Sequence, residues 1–364
     1  MITLLLFALG LTLLIVGAQM LVHGASRLAL SFGISPLVVG LTIVAFGTSS
    51  PEMAVSVQSA WSGKTDMAVA NVVGSNVFNV LFILGLSALI TPLLVDRQLI
   101  RQEVPLMIGA ALLFAGLTLD GELSRGEGLL LCVLLAAYTT FLIVQSRRQN
   151  GGPDDTTTDL DRPASEPSRT RGLDDRLPVQ LALIVIGLAA LVAGSDFMVD
   201  AAIVFARHLG MSEAVIGLTV VAAGTSLPEV AASVTAALRG QRDIAVGNVV
   251  GSNIFNLLGA LGLSAVAAPH ALSLAPAMLN FDIPVMVAVC VACLPIFATG
   301  HLIARWEGGL FLAYYVAYTL YLILAAKEHD ALHDYALVMK TIVLPLTAVT
   351  LALISVRHWR RSTG

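Results

Sequence analysis

The chain has 364 residues, is 57% hydrophobic and only 12% charged, and has a mean hydropathy of +0.87. A soluble domain carries roughly twice that charged fraction, so the composition excludes a water-soluble globular protein and offers nothing that points to a nucleic-acid partner, an obligate protein partner or a cofactor. The net charge of −4 says little, because what matters in a membrane protein is where the charges sit.

Apolar runs of the ~20 residues that a helix needs to cross the hydrocarbon core follow one another along the chain. They predict spans at 3–23, 36–60, 67–91, 103–119, 127–146, 179–203, 213–237, 244–268, 281–299 and 308–326, with an eleventh run at 337–356. The runs are continuous rather than alternating, which excludes a β-barrel and leaves an all-α polytopic membrane protein. The first run lacks a basic leader and a small-residue cleavage site, so it reads as a retained span. Residues 1–146 form a first five-helix half and 179–326 a second. The connection 147–178, rich in Gly, Pro, Asp, Thr and Ser, reads as a flexible linker. Residues 327–364 form a C-terminal extension with the possible eleventh membrane helix. The three cysteines, Cys132, Cys290 and Cys293, all fall in apolar runs and read as packing residues.

Placing the arginine-bearing 147–178 connection in the cytoplasm puts 15 of the 20 Lys and Arg residues inside. That bias is the positive-inside signal, and it sets the N-terminus outside.

Residues 33–87 recur at 210–264 with a constant offset of 177, no gap, and 34 identities in 55 positions. Five spans separate the start of one copy from the start of the next. Five is odd, so the copies cross the membrane in opposite directions, the inverted-repeat architecture of secondary transporters. The identities fall on oxygen-bearing residues as well as on packing residues. The first copy reads GLTIVAFGTSSPE and then NVVGSNVFN; the second reads GLTVVAAGTSLPE and then NVVGSNIFN.

Glu52 and Glu229 sit about 16 residues into their spans, where an ionised carboxylate is expensive and by default marks an ion or proton path. No span in either repeat supplies a basic partner. Pro51 and Pro228 precede them, and a proline withholds an N–H and displaces the carbonyl four residues back, here that of Gly47 or Gly224. Thr48, Ser49, Thr225 and Ser226 add hydroxyls at the break. The next span of each copy contributes Ser75 and Asn79, or Ser252 and Asn256, four apart and therefore on one helix face. Carboxylates, amides, hydroxyls and freed carbonyls without His or Cys form the ligand set of a hard cation: Ca²⁺, Na⁺ or Mg²⁺.

At these residues the chain resembles the sodium/calcium exchanger family of the cation/calcium exchanger superfamily, in its bacterial inner-membrane form. GTSSPE and GTSLPE look like the family's two α-repeat signatures, and GSNVFN and GSNIFN like their partners on the following helices. The resemblance implies a ten-helix core of two inverted five-helix repeats. It implies that Glu52 and Glu229 bind Ca²⁺ together with the carbonyls of Thr48 and Thr225. It also implies Na⁺ sites from Ala45, Thr48, Ser75 and Glu52 on one side and Ala222, Thr225, Ser252 and Glu229 on the other, with Asn79 and Asn256 bordering the centre. Some family members carry Asp where this chain has Asn256. The implied activity is electrogenic Na⁺/Ca²⁺ antiport by alternating access, in which the first and sixth spans slide across a rigid core. A proton- or K⁺-coupled divalent-cation antiporter is the alternative. A channel is a weaker reading, since conduction needs weak or multi-site binding, and an enzyme weaker still, since no nucleophile–base pair presents itself.

Overall fold

The computed structural model describes residues 2–32, 34–150, 176–208, 222–326 and 331–339, with residue 341. The predicted linker, the start of the seventh span and most of the eleventh run fall largely at 151–175, 209–221 and 342–364, outside the described residues.

The described chain is almost entirely helical. Its elements are α1 (Ile2–Phe32), α2 (Pro36–Thr48), α3 (Ser50–Trp61), α4 (Thr65–Ile90), α5 (Leu99–Leu117), α6 (Arg125–Asn150) and α7 (Leu177–His208). After the short turn Ala222–Gly224 come α8 (Leu227–Leu238), α9 (Arg242–Ala267), α10 (Met278–Ala298), α11 (Arg305–Ala326) and α12 (Ala331–Val338). Among the described residues, eight helices are long and apolar enough to cross a membrane, and α2 with α3 makes a ninth span bent by 45°. The helix α8 is a shorter apolar one. This is a multi-pass integral membrane protein.

The predicted spans fall on these helices, with two corrections of length. Helices α1 and α7 have 31 and 32 residues, running past the expected spans 3–23 and 179–203. At 1.5 Å per residue each exceeds the ~30 Å hydrocarbon core, so each runs tilted or projects beyond it. They pack against each other antiparallel along a heptad of glycines. A Cβ on Gly10 would stand 2.8 Å from the carbonyl oxygen of Gly194, one on Gly17 2.8 Å from that of Gly187, and one on Gly24 2.9 Å from that of Gln180. Small residues let membrane helices approach to backbone contact, and here the spacing of seven keeps one seam facing one partner.

Helices α4 and α9 form the centre: 72% and 89% of their best apolar windows are buried, against 33% and 28% for α1 and α7. Each carries one π-helical stretch beginning at or beside the second asparagine of its motif, Asn79–Leu84 and Phe255–Ala260. Wider turns of this kind recur at functional sites. Gly63 and Gly240, which end α3 and α8, adopt φ of 76° and 74°, the left-handed conformation that closes a helix.

Two short antiparallel pairings tie the halves together: β1 (Leu93–Leu94) with β4 (Leu302–Ile303), and β2 (Glu122–Leu123) with β3 (Leu272–Ser273). Beside them, Arg125 donates to the carbonyl of Ala268 at 2.7 Å and Arg305 to that of Ile90 at 3.2 Å. Each arginine neutralises the carbonyl end of a central helix belonging to the other half. Two acids outside the repeats are held the same way in both halves, Glu103 by Tyr138 and Asp282 by Tyr318, each at 2.8 Å. Cys290 and Cys293 are buried packing residues and Cys132 is half-buried.

Candidate cation site

The site is built where α2 breaks into α3. Ser49 leaves helical geometry, with φ −79° and ψ 0°, and its counterpart Ser226 does the same, with φ −91° and ψ 7°. Pro51 and Pro228 then stand at the second residue of α3 and α8, where a missing N–H matters least. The helix thus breaks beside each proline, where the sequence places the disturbance. Glu52 and Glu229 occupy the first turns of new half-helices, whose N-terminal dipole favours negative charge.

Both glutamates are fully buried. They are cross-bonded between the repeats: Ser226 donates to Glu52 Oε1 at 2.7 Å, and Ser49 donates to Glu229 Oε1 at 3.0 Å. Each serine lies three residues before the glutamate of its own repeat and bonds that of the other, so the two carboxylates meet at one locus. Both of these bonds come from serine hydroxyls, and no basic group bonds to either glutamate among the described residues. The second oxygens, Glu52 Oε2 and Glu229 Oε2, have no hydrogen-bond partner among the described residues. The same holds for Thr225 Oγ1, Ser252 Oγ, Asn79 Oδ1 and Asn256 Oδ1, all buried atoms. An unpaired buried polar atom costs about 1–3 kcal/mol. Six acceptor oxygens, two of them on carboxylates, are what a hard cation would satisfy.

Not every expected ligand is free. Ser75 donates to the carbonyl of Asn71 at 2.7 Å, one turn back. The Ala45 carbonyl receives Ser49 N–H at 3.0 Å and the Thr48 hydroxyl at 3.4 Å. Thr48 also donates to Asn248 Oδ1 at 3.1 Å. Ala222 opens the short turn before the second break. The Gly224 carbonyl, to which Pro228 has no N–H to give, accepts from Ser195 of α7 at 2.6 Å and keeps one lone pair. Gly251 does allow close approach: a Cβ there would stand 2.7 Å from the Leu41 carbonyl oxygen.

Sequence reasoning passed over three pairs. Asn71 donates to Ser56 at 2.9 Å and to the carbonyl of Glu52 at 3.2 Å, and Asn248 donates to Ser233 at 2.9 Å, so each glutamate helix is tied to the central helix that follows it. Asn76 and Asn253 bond to the two outer asparagines. All six are identities of the duplicated segment at polar positions in apolar helices, a signal available in the sequence but outweighed by the motif residues beside them.

The family model described as sodium/calcium exchanger protein matches residues 2–144 and 179–324. The chain belongs to the sodium/calcium exchanger family. It is 40% identical over 314 residues to the putative antiporter CaxA of Alkalimonas amylolytica, covering 85% of this chain and 95% of that one. It is 35% identical over 343 residues to the sodium/calcium exchanger MaX1 of Methanosarcina acetivorans, covering 87% and 97%. The inner membrane protein YrbG of Escherichia coli is 36% identical over 286 residues, covering 79% and 86%. Among solved structures, the sodium-calcium exchanger NCX_Mj superposes with a TM-score of 0.72 at 32% identity, over 86% of this chain and 96% of that one. This family member is therefore an exchanger-type secondary transporter of cations, not an enzyme, with the fold of NCX_Mj and two halves that the family model matches separately.

Proposed function

We propose that this chain exchanges Na⁺ for Ca²⁺ by alternating access, and that its transport site lies between Glu52 and Glu229. The observation that carries the reading is the cross-bonded pair of buried glutamates, each with one carboxylate oxygen left unsatisfied among the described residues. Two carboxylates balance one Ca²⁺. Hydroxyl and amide oxygens complete a flexible cage of the kind that suits Ca²⁺ better than Mg²⁺, which gives up its water reluctantly. Thr225, Ser252, Asn79 and Asn256 carry unpartnered buried oxygens for that cage; Thr48, Ser49 and Ser226 retain acceptor lone pairs, whereas the Ala45 carbonyl already accepts from Ser49 N–H and the Thr48 hydroxyl. Ser75 and Ala222 complete the set.

The reading includes ten core spans in two inverted halves, 1–146 and 179–326, joined by a cytoplasmic linker at 147–178, with the N-terminus outside and 327–364 outside the transport core. The antiparallel seam of α1 and α7 supports inversion, since these helices open the two halves. MaX1 and NCX_Mj are named as sodium/calcium exchangers, which supports Na⁺ as the coupling ion. Exchange of three Na⁺ for one Ca²⁺ would move one net charge per cycle, coupling it to voltage at ~2.3 kcal/mol per 100 mV.

The test is ⁴⁵Ca²⁺ uptake into proteoliposomes under an outward Na⁺ gradient, compared with equal K⁺ and proton gradients. Uptake driven by Na⁺ alone and accelerated by an inside-positive potential is expected. Uptake that ignores Na⁺ and follows the proton gradient would replace Na⁺ with protons on the same two carboxylates.

A further inference from the structure

The two asparagines that border the candidate site are each held by a second asparagine, and each of those by a methionine. Asn76 Nδ2 faces the Met286 sulfur at 3.7 Å and the carbonyl of Asn253 at 3.5 Å, while its Oδ1 accepts from Asn256 Nδ2 at 3.2 Å. The mirror chain repeats this: Asn253 Nδ2 faces the Met107 sulfur at 3.6 Å and the carbonyl of Asn76 at 3.4 Å, and its Oδ1 accepts from Asn79 Nδ2 at 3.0 Å. All six residues are fully buried. Asn79 Oδ1 and Asn256 Oδ1, at the end of each chain, have no partner among the described residues. They lie on the π-helical stretches of α4 and α9 that pack against α8 and α3, the helices of Glu229 and Glu52.

A carboxamide turned over by half a turn exchanges its donor and its acceptor, so a chain of amides alone has no fixed sense. A thioether sulfur and a backbone carbonyl can only accept. The inner amide must therefore turn its nitrogen to them and its oxygen to the outer amide. The outer amide then spends its NH₂ inward and leaves its oxygen free. We propose that Asn76 with Met286, and Asn253 with Met107, are positioning residues that set the sense of Asn256 and Asn79, so that both present oxygen rather than N–H to the transported cation. The inference rests on the reading that the cation sits between Glu52 and Glu229. It accounts for how a centre with only two acids presents four side-chain acceptors of one polarity.

The sense of an amide matters only while it is an amide; a carboxylate offers oxygen whichever way it turns. The test is therefore a double-mutant cycle on the full chain, read by ⁴⁵Ca²⁺ equilibrium binding in detergent and by Na⁺-driven uptake. Asn76→Leu should raise the Ca²⁺ half-saturation concentration about tenfold, the loss of one well-placed hydrogen bond. In the Asn256→Asp background the same change should have an effect below about twofold, because no amide remains to be turned. An equal loss in both backgrounds overturns the proposal. Met286→Leu, close in volume, is the second variant if Asn76→Leu does not fold. About a twofold rise is expected, again only in the Asn256 background, and binding unchanged from the native protein removes the sulfur from the relay. Glu52→Gln separates the two readings. Binding that survives it moves the cation elsewhere and fails the transport site; binding that it abolishes, with no coupling in the cycle, fails the relay alone.

Discussion

The two copies of the repeat are nearly the same sequence, yet their hydroxyls are used differently. In the first copy Thr48 bonds to Asn248, and Ser75 bonds to the carbonyl of Asn71. In the second copy the equivalent Thr225 and Ser252 leave their oxygens unpartnered among the described residues. Each glutamate keeps one serine donor, Ser49 on Glu229 and Ser226 on Glu52. The long helices differ too. Ser195 of α7 ties that helix to the broken turn at Gly224, and its counterpart on α1 is Ala18, which has nothing to donate. What the two copies share is the charge; what they divide is the hydrogen bonding. Under the proposed alternating access that division has a use, since access alternates when inverted halves trade conformations around one site.

The largest effect should come from the shared part. Glu52→Gln and Glu229→Gln should each lower Na⁺-driven Ca²⁺ uptake by at least about a hundredfold, or ~2.7 kcal/mol, since each removes half of the compensating charge. Proteoliposome flux measures it, and a copy whose glutamine variant still exchanges would show that the carboxylates are not one site. Next, the seam of α1 and α7 should be equally intolerant from both sides. Gly17→Leu and Gly194→Leu force a side chain into a backbone 2.8 Å away. Each should destabilise by about 1–3 kcal/mol, seen as a lower melting temperature in detergent. A tolerated leucine on one side alone would mean that the helices part there.

Ser49→Ala and Ser226→Ala probe the cross-bonds. A hydrogen bond to a charged group contributes about 1.5–3 kcal/mol, so each variant should raise the Ca²⁺ half-saturation concentration by about tenfold or more. Ser226→Ala should be the larger, because its bond to Glu52 is the shorter, 2.7 Å against 3.0 Å for Ser49 to Glu229. Equal losses would erase the asymmetry. The smallest effect should be that of Ser195→Ala, about 1 kcal/mol from one neutral bond. Steady-state fluxes in the two directions should shift unequally, by up to about fivefold; unchanged fluxes would make Ser195 a packing residue.

Much of the fold could be read before any coordinates, because bilayer thickness sets the length of an apolar helix and the duplication sets the symmetry. The reading went wrong on the lengths of α1 and α7, since hydropathy marks where a helix is apolar and not where it stops. The glutamates were found through charge in an apolar run. Their place at the start of half-helices was not, because a proline in sequence announces a disturbance without saying whether the helix bends or begins anew. Asn76 and Asn253 stayed hidden for a different reason: an asparagine in a membrane helix looks the same whether it binds an ion or another asparagine.

The sequence by itself determined that the chain is a membrane protein, that it carries a doubled segment, and that two acids lie where lipid would reject them; each of these is a one-dimensional property of period, offset or polarity. Only the tertiary structure decided that Ser226 reaches Glu52 and Ser49 reaches Glu229, that Ser195 claims the Gly224 carbonyl, and which amide oxygens are left over. Hydrogen bonds are directional and act over about 3 Å, so their pairing depends on how helices far apart in the chain are placed, and no local pattern carries that placement.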